Sequence, residues 1–215
     1  AYNVIVKAQL PPGASGAGVN YTAQKTATGR NTPNASTTAN DVLSHVVGGT
    51  EDMSNGESGG AGPGPEVSPV VMNTANPGTT TTFTLFVTNG SAVADTFNLS
   101  ASTDLTFASL TLPAGWTVSF RNTGNAVVTS SGVLPGGGFV QLFADVAIPP
   151  GSTPGTNQLY FGALSPASGL SDRLHDAVAV SSVRSLSLAP NNNGQVAPGG
   201  TIVYSHLLAN NGNVT

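Results

Sequence analysis

Apolar and polar residues alternate along several stretches of the chain. In the segment 80–88, one set of alternate positions includes Phe83, Leu85 and Val87, and the other is mostly threonine. The segment 138–146 keeps Val140, Leu142, Ala144 and Val146 on one side, and 201–208 is a third run of β-branched and aromatic residues. Period-two alternation predicts half-buried strands. We therefore expect an all-β chain in which threonine covers the solvent faces.

Turn sequences separate these runs at short intervals. Proline fixes φ and glycine supplies positive φ, so Pro-Gly pairs predict turns. They occur at 77–78, 135–136, 150–151, 154–155 and 198–199. Short strands at this spacing, without a credible long helix, favour an antiparallel β-sandwich.

The chain also resembles itself at two offsets. The sequence around Pro12 resembles that around Pro150, 138 residues later, and strand-like segments follow both. The segment 76–91 resembles 197–213 at an offset of 121. Self-similarity of this kind indicates tandem repeats.

These offsets predict four regions. We expect a complete sandwich domain at 66–184, the last third of a preceding repeat at 1–47 and the opening strands of a following repeat at 185–215. Residues 48–65, rich in glycine and acids, are predicted to be a flexible surface linker. Because neither partial repeat could bury both faces of a sandwich, we expect the ends of the chain not to be natural folding boundaries unless another chain completes them.

One motif order is similar to a known family. Asn76-Pro77-Gly78 precedes the strand that ends at Asn89-Gly90; Leu112-Pro113-Ala114-Gly115-Trp116, Leu134-Pro135-Gly136-Gly137 and Ile148-Pro149-Pro150-Gly151 follow in order. This order resembles the tandem Ig-like "conserved repeat" domains of bacterial cell-surface proteins, across nearly all of 66–215 and more weakly across 1–47. The resemblance implies an extracellular, Ig-like structural or surface-layer module without catalytic residues.

The composition of the chain excludes several classes of function. Only 7% of the residues are charged, the formal net charge is −4, and the chain has no cysteine. Nucleic-acid binding needs clustered Lys and Arg, so we expect none. Disulfides, Cys-ligated zinc and thiol catalysis are excluded. No apolar run approaches the 18 residues of a membrane-spanning helix. Residues 67–184 hold five acids and three arginines, so the shortage of charge lies in the predicted sandwich.

Acids near the first junction are the candidate metal ligands. Calcium takes six to eight oxygen ligands, and Glu51, Asp52 and Glu66 could contribute some of them. No EF-hand-type loop is present, so uncoordinated surface carboxylates are the simpler interpretation. The sequence suggests no cofactor other than calcium. The three histidines, His45, His175 and His206, are not matched between repeats, so we expect no histidine site and no enzyme.

Trp116, the sole tryptophan, is the candidate ligand-binding residue. It could stack on a carbohydrate, although a core position between the sheets is the favoured alternative. Lysine–asparagine crosslinks, known in some Ig-like pilin domains, are excluded from 66–184 because the only lysines are Lys7 and Lys25.

These observations lead to two functional hypotheses. The first is a structural extracellular module of a bacterial cell-envelope or surface-layer assembly. It would pack against other copies or other envelope proteins, with strand complementation as a sharper variant. The alternative is a carbohydrate- or ligand-binding accessory or adhesin domain of an exported protein.

Overall fold

A computed structural model describes residues 3–7, 21–32, 34–43, 50–57 and 64–214. The described residues form fourteen strands. They are β1 (Tyr21–Thr28), β2 (Ser36–Leu43), β3 (Glu51–Ser54), β4 (Met72–Ala75), β5 (Thr80–Asn89), β6 (Asp95–Ser102), β7 (Thr117–Asn122), β8 (Val127–Val128), β9 (Ser130–Leu134), β10 (Phe139–Ala147), β11 (Gly155–Leu164), β12 (Ser171–Val180), β13 (Leu186–Ala189) and β14 (Leu207–Asn210). Within the described ranges, no helix combines the length and apolar character needed to cross a membrane.

Ten of these strands make two five-stranded sheets that pack face to face. One sheet has the order β3-β5-β10-β7-β8, and the other has the order β4-β12-β11-β6-β9. In Ig lettering the first sheet begins A-B-E-D, and the second contains G-F-C with β4 parallel beside G. The predicted all-β, Ig-like sandwich is confirmed.

The first strand is divided between the sheets. β3 pairs antiparallel with β5, whereas β4 pairs parallel with β12. The prediction of a flexible linker over 48–65 is therefore wrong for Glu51–Ser54, which form the edge strand of the domain. The segment is short and lies among glycines, but its residues alternate in burial. Met53 is 1% exposed and belongs to the core. Residues 44–49 and 58–63, with His45, lie outside the described residues.

The core lies between the two sheets and follows the predicted alternation. Phe83, Leu85 and Val87 of β5 and Leu142, Ala144 and Val146 of β10 are all buried. Across the interface, the rings of Phe83 and Phe161 lie 5.3 Å apart between centroids in a tilted arrangement. Alternate apolar side chains on antiparallel strands thus join the two layers, as sandwich geometry requires.

The C-terminal hairpin repeats the pairing of the first ladder. β13 pairs with β14, so that Leu186 lies opposite Asn210, in the register in which Glu51 lies opposite Asn89. The preceding turn also recurs, because Gly78 and Gly199, 121 residues apart, have φ of 80° and 85°. Both observations agree with the offset found in the sequence.

The predicted strand over 201–208 forms only in part. Leu207 and Leu208 belong to β14, but residues 201–206 carry no strand. The corresponding residues of β5, 80–85, pair with β10 and not with β3. Residues 201–206 lack a counterpart of β10 among the described strands, so they have no ladder to join.

Hairpin β1–β2 also stands apart from both sheets. It pairs antiparallel from Tyr21 opposite Leu43 to Thr28 opposite Ser36. Every residue of β2 is exposed. A two-stranded hairpin with both faces in water is marginally stable at best, so this element needs further contacts.

Candidate functional site

Carboxylates of β12 hold the segment that crosses between the sheets. Asp172, which is 3% exposed, accepts hydrogen bonds from the backbone N–H groups of Met53 (2.8 Å) and Gly64. Burial raises the pKa of Asp172, and these two backbone bonds oppose the rise. Asp172 thus fastens β3 and the later part of the crossing segment to the second sheet.

Asp176, further along β12, makes the second attachment. It is fully buried and accepts from the Val71 N–H at 2.9 Å and the Asn55 side-chain amide at 3.0 Å. Asn55 also donates to the Thr84 carbonyl of β5, so it connects the two sheets. Burial raises the pKa of Asp176 to about 6.

His175 and Glu66 make the third attachment. The Glu66 carboxylate accepts from the His175 N–H at 2.9 Å, and the His175 ring contacts the Glu66 carbonyl and the Gln158 side chain. The ring stacks on Tyr160 with 4.5 Å between centroids. These contacts hold the segment around Glu66 against β11 and β12.

Glu51 differs from these acids. It is 6% exposed and faces the core beside Met53, yet neither carboxyl oxygen has a hydrogen-bond partner among the described residues. Burial raises the pKa of Glu51 to about 9, and the nearby carboxylates of Asp172 and Asp52 add to the rise. Glu51 is therefore protonated at neutral pH, because ionising it would leave a buried, uncompensated charge.

The candidate calcium ligands are not gathered into one site. Glu51 faces the core, Asp52 faces the other side of β3, and Glu66 is engaged by the His175 N–H. Over the described ranges, no group of three or more histidine, aspartate and glutamate side chains is arranged to hold a metal ion. Calcium stays a prediction of the sequence, without a coordination sphere in the described residues.

Trp116, the candidate ligand-binding residue, lies in the core. Its side chain is 7% exposed and belongs to the cluster between the sheets. A sugar-stacking residue must offer a ring face to solvent, so this position does not suit the role. Trp116 therefore occupies the core position that was the favoured alternative.

A shallow groove of about 480 Å³ lies on the outer face of the second sheet instead. The Phe107 ring forms part of its wall, and the Arg173 guanidinium lies 5.7 Å from the centroid of that ring. Phe107 has φ of 57°, a left-handed conformation that is uncommon for a bulky residue. Its ring also packs so closely over Gly162 that a Cβ there would approach to 2.9 Å.

The C-terminal hairpin exposes several leucine side chains. Leu186 and Leu188 of β13 and Leu208 of β14 are 71%, 63% and 65% exposed. Leu188 lies opposite Leu208, and Leu186 lies two residues before Leu188, so all three share one side of the hairpin. We call this side the leucine face.

In the complete domain, the corresponding side of β3–β5 is fully covered. Leu188 and Leu208 correspond in register to Met53 and Val87, which are 1% and 0% exposed. Leu186 corresponds to Glu51. The leucine face therefore has the position of an inner sandwich face, but no second sheet covers it within the part of the chain that the structure describes.

Sequence reasoning missed the roles of Asn55, Asp172 and Asp176. Asp172 and Asp176 could be recognised as acids, but nothing in the sequence indicated that they accept hydrogen bonds from backbone N–H groups more than 100 residues away. It also missed the leucine face as a surface, because strand alternation does not say whether a face is covered.

Comparisons with known proteins add little to this picture. No family model matches the chain, and no curated protein matches it. A structure of a family 123 glycoside hydrolase from Clostridium perfringens is 11% identical, with a TM-score of 0.36 over 51% of this chain. The chain spans only 22% of that enzyme. A PapD-like domain of human CEP192 is 13% identical, with a TM-score of 0.37 over 65% of this chain and 95% of that domain. At these scores neither likeness supports a functional inference.

Proposed function

We propose that this chain is a structural module of an extracellular, bacterial cell-envelope or surface-layer assembly that acts by packing against other protein chains. The observation that carries the proposal is the pair of exposed hairpins, β1–β2 and β13–β14. Both hairpins are largely exposed, and an isolated two-stranded hairpin is marginally stable at best. The leucine face is also apolar. Contiguous exposed apolar surface of this kind marks protein–protein contact.

Low charge supports the same function. Residues 67–184 carry eight formal charges, and Arg121 and Asp145 form a bidentate pair that neutralises two of them. Burying a neutral threonine-rich surface avoids the desolvation cost of ions. Such a surface suits close packing in an assembly, and its contacts are little affected by salt.

An image of the native assembly tests the proposal. Antibody against this chain, followed by cryo-electron tomography of the source cells, is expected to mark a regular lattice or fibre at the cell surface. Dispersed label inside the cells would overturn the function. Chemical crosslinking of intact cells gives an independent reading, since a structural module should crosslink to itself or to another envelope protein.

A ligand-binding domain is the second candidate function, and the groove beside Phe107 is the observation that favours it. The groove combines an aromatic ring with the Arg173 guanidinium and the side chains of Asn98 and Ser100, a mixture that is common in ligand sites. This candidate predicts saturable glycan binding that Phe107→Ala abolishes. A blank result on a broad glycan array would remove it.

A further inference from the structure

In the complete domain, hairpin β11–β12 supplies much of the cover for the inner face of β3–β5. Phe161 of β11 packs on Phe83 of β5, and Asp172 of β12 binds the Met53 N–H of β3. The leucine face matches the inner face of β3–β5 in register and in its turn. The element that fits it is therefore an antiparallel hairpin of the β11–β12 kind.

The chain contains another hairpin of that kind. The sequence around β1 and β2 resembles that around β11 and β12, and both pairs are antiparallel. On one side of β1–β2, Tyr21 lies opposite Leu43, and alternate positions along both strands add small residues. We call this side the tyrosine face, and its members are Tyr21, Ala23, Lys25, Ala27, Thr37, Ala39, Asp41 and Leu43.

The two sides of β1–β2 differ in character. The side opposite the tyrosine face is polar apart from one residue, Val42; its other members are Thr22, Gln24, Thr26, Thr28, Ser36, Thr38 and Asn40. The tyrosine face carries two charges, Lys25 and Asp41, and these form an ion pair with each other. The tyrosine face is the less polar side, because five of its eight residues are apolar against one of eight on the other side. Its ion pair leaves it with no net charge.

We propose that the leucine face of one chain binds the tyrosine face of a second copy, so that copies join head to tail through a sandwich built from two chains. The proposal rests on the proposed function and names its partner. The two surfaces differ, so the contact is heterologous and leaves each end of a dimer open for another copy. Repetition of the contact produces a linear assembly.

Sedimentation velocity of the full chain over a range of concentrations tests the contact. The wild type is expected to show mass that grows with concentration. Leu188→Asp places a charge in the leucine face and should weaken association at least tenfold, about the factor that one buried leucine contributes. Leu207→Asp is the matched control, because Leu207 is 71% exposed on the other side of the same hairpin. It should associate as the wild type does.

Mixing two variants separates head-to-tail from symmetric association. Leu188→Asp blocks the leucine face, and Leu43→Asp blocks the tyrosine face. Each alone should be monomeric, and an equimolar mixture should form a closed one-to-one dimer, since one intact face of each kind remains. Thermal unfolding of each variant, followed by circular dichroism, checks that the sandwich itself is intact.

Three results would overturn the inference. They are a wild type that is monomeric up to about 1 mM, equal effects of Leu188→Asp and Leu207→Asp, and association of Leu43→Asp with itself through the leucine face. In each case the wider proposal of a structural envelope module still stands or falls on the tomography of the native assembly. Failure of the contact and failure of the function are thereby distinguished.

Discussion

Asn89 and Asn210, 121 residues apart, make the same two local hydrogen bonds. Each donates its side-chain amide at 2.8 Å to the carbonyl four residues later, that of Val93 or Val214. Each accepts from the backbone N–H two residues later, that of Ser91 (3.1 Å) or Gly212 (3.0 Å). Asn89 also donates to the Leu134 carbonyl at 3.0 Å in the opposite sheet and to the Pro135 carbonyl at 3.3 Å, and it accepts from the Ser91 hydroxyl at 2.6 Å. The asparagine thus closes its strand locally, and in the complete domain it also joins the two layers.

Removing the two side chains should therefore have unequal effects. Asn89 is fully buried, and Asn89→Ala leaves the Leu134 carbonyl and the Ser91 N–H without this partner, at a cost of about 2–4 kcal/mol in the free energy of unfolding. Asn210→Ala, at an exposed site, should change it by less than about 1 kcal/mol. Urea denaturation followed by tryptophan fluorescence measures both. Similar losses in the two variants would contradict this account of the inter-sheet bond.

Glu51 should make the domain less stable as the pH rises. Its pKa is raised from 4.5 to about 9, so the folded state keeps a proton that the unfolded chain releases. This contribution to stability is fully present below pH 4.5 and is lost as the pH rises towards 9. The pKa of Asp176, raised to about 6, and the raised pKa of Asp172 act in the same direction, so the contribution of Glu51 must be separated by substitution.

Glu51→Gln, which cannot ionise, tests this dependence. The wild type should lose on the order of a few kcal/mol between pH 6 and 9, and the variant should lose far less. Denaturant titrations at several pH values supply the free energies. Parallel curves for the two proteins would show that Glu51 is not the group responsible.

The alternation of apolar and polar residues was sufficient to predict the sandwich, but it did not predict the first strand of the domain, β3. Phe83, Leu85 and Val87 face the core as predicted, because a ten-residue strand carries its pattern plainly. Glu51–Ser54 offered only four residues, two of them acidic, among glycines. What makes this segment a strand is distant: its ladder with β5 and the hydrogen bond from Met53 to Asp172.

The candidate residues show the same limit. Trp116 could be assigned to core or surface only when the second sheet was placed over it. The acids Asp172 and Asp176 were recognisable as residue types, but their partners Met53, Asn55 and Val71 come from a segment that composition marked as linker. The internal offset of 121 could be read from the sequence alone. The turn at Gly199 and the register of β13–β14 agree with it.

Asp172→Asn should release the edge strand before the rest of the domain. Asparagine can accept through only one oxygen, so either the Met53 N–H or the Gly64 N–H loses its acceptor. Hydrogen exchange of amides in β3 should accelerate at least tenfold, while exchange in β10 and β11 should change little. Glu57→Gln is the control, since Glu57 is an exposed acid of the same segment. Uniform acceleration throughout the sandwich would show that Asp172 serves global stability rather than attachment of β3.

Trp116→Ala should act on stability and not selectively on binding. Trp116 is 7% exposed in the core, so truncating it leaves a cavity and should cost about 3–5 kcal/mol. Phe139→Ala is the aromatic control, because Phe139 is 52% exposed and its loss should cost much less. Urea denaturation with circular dichroism as the probe compares the two variants without relying on the tryptophan. If Trp116→Ala unfolded like the wild type and lost binding to a glycan, the residue would belong to a ligand site, and the adhesin alternative would replace the structural one.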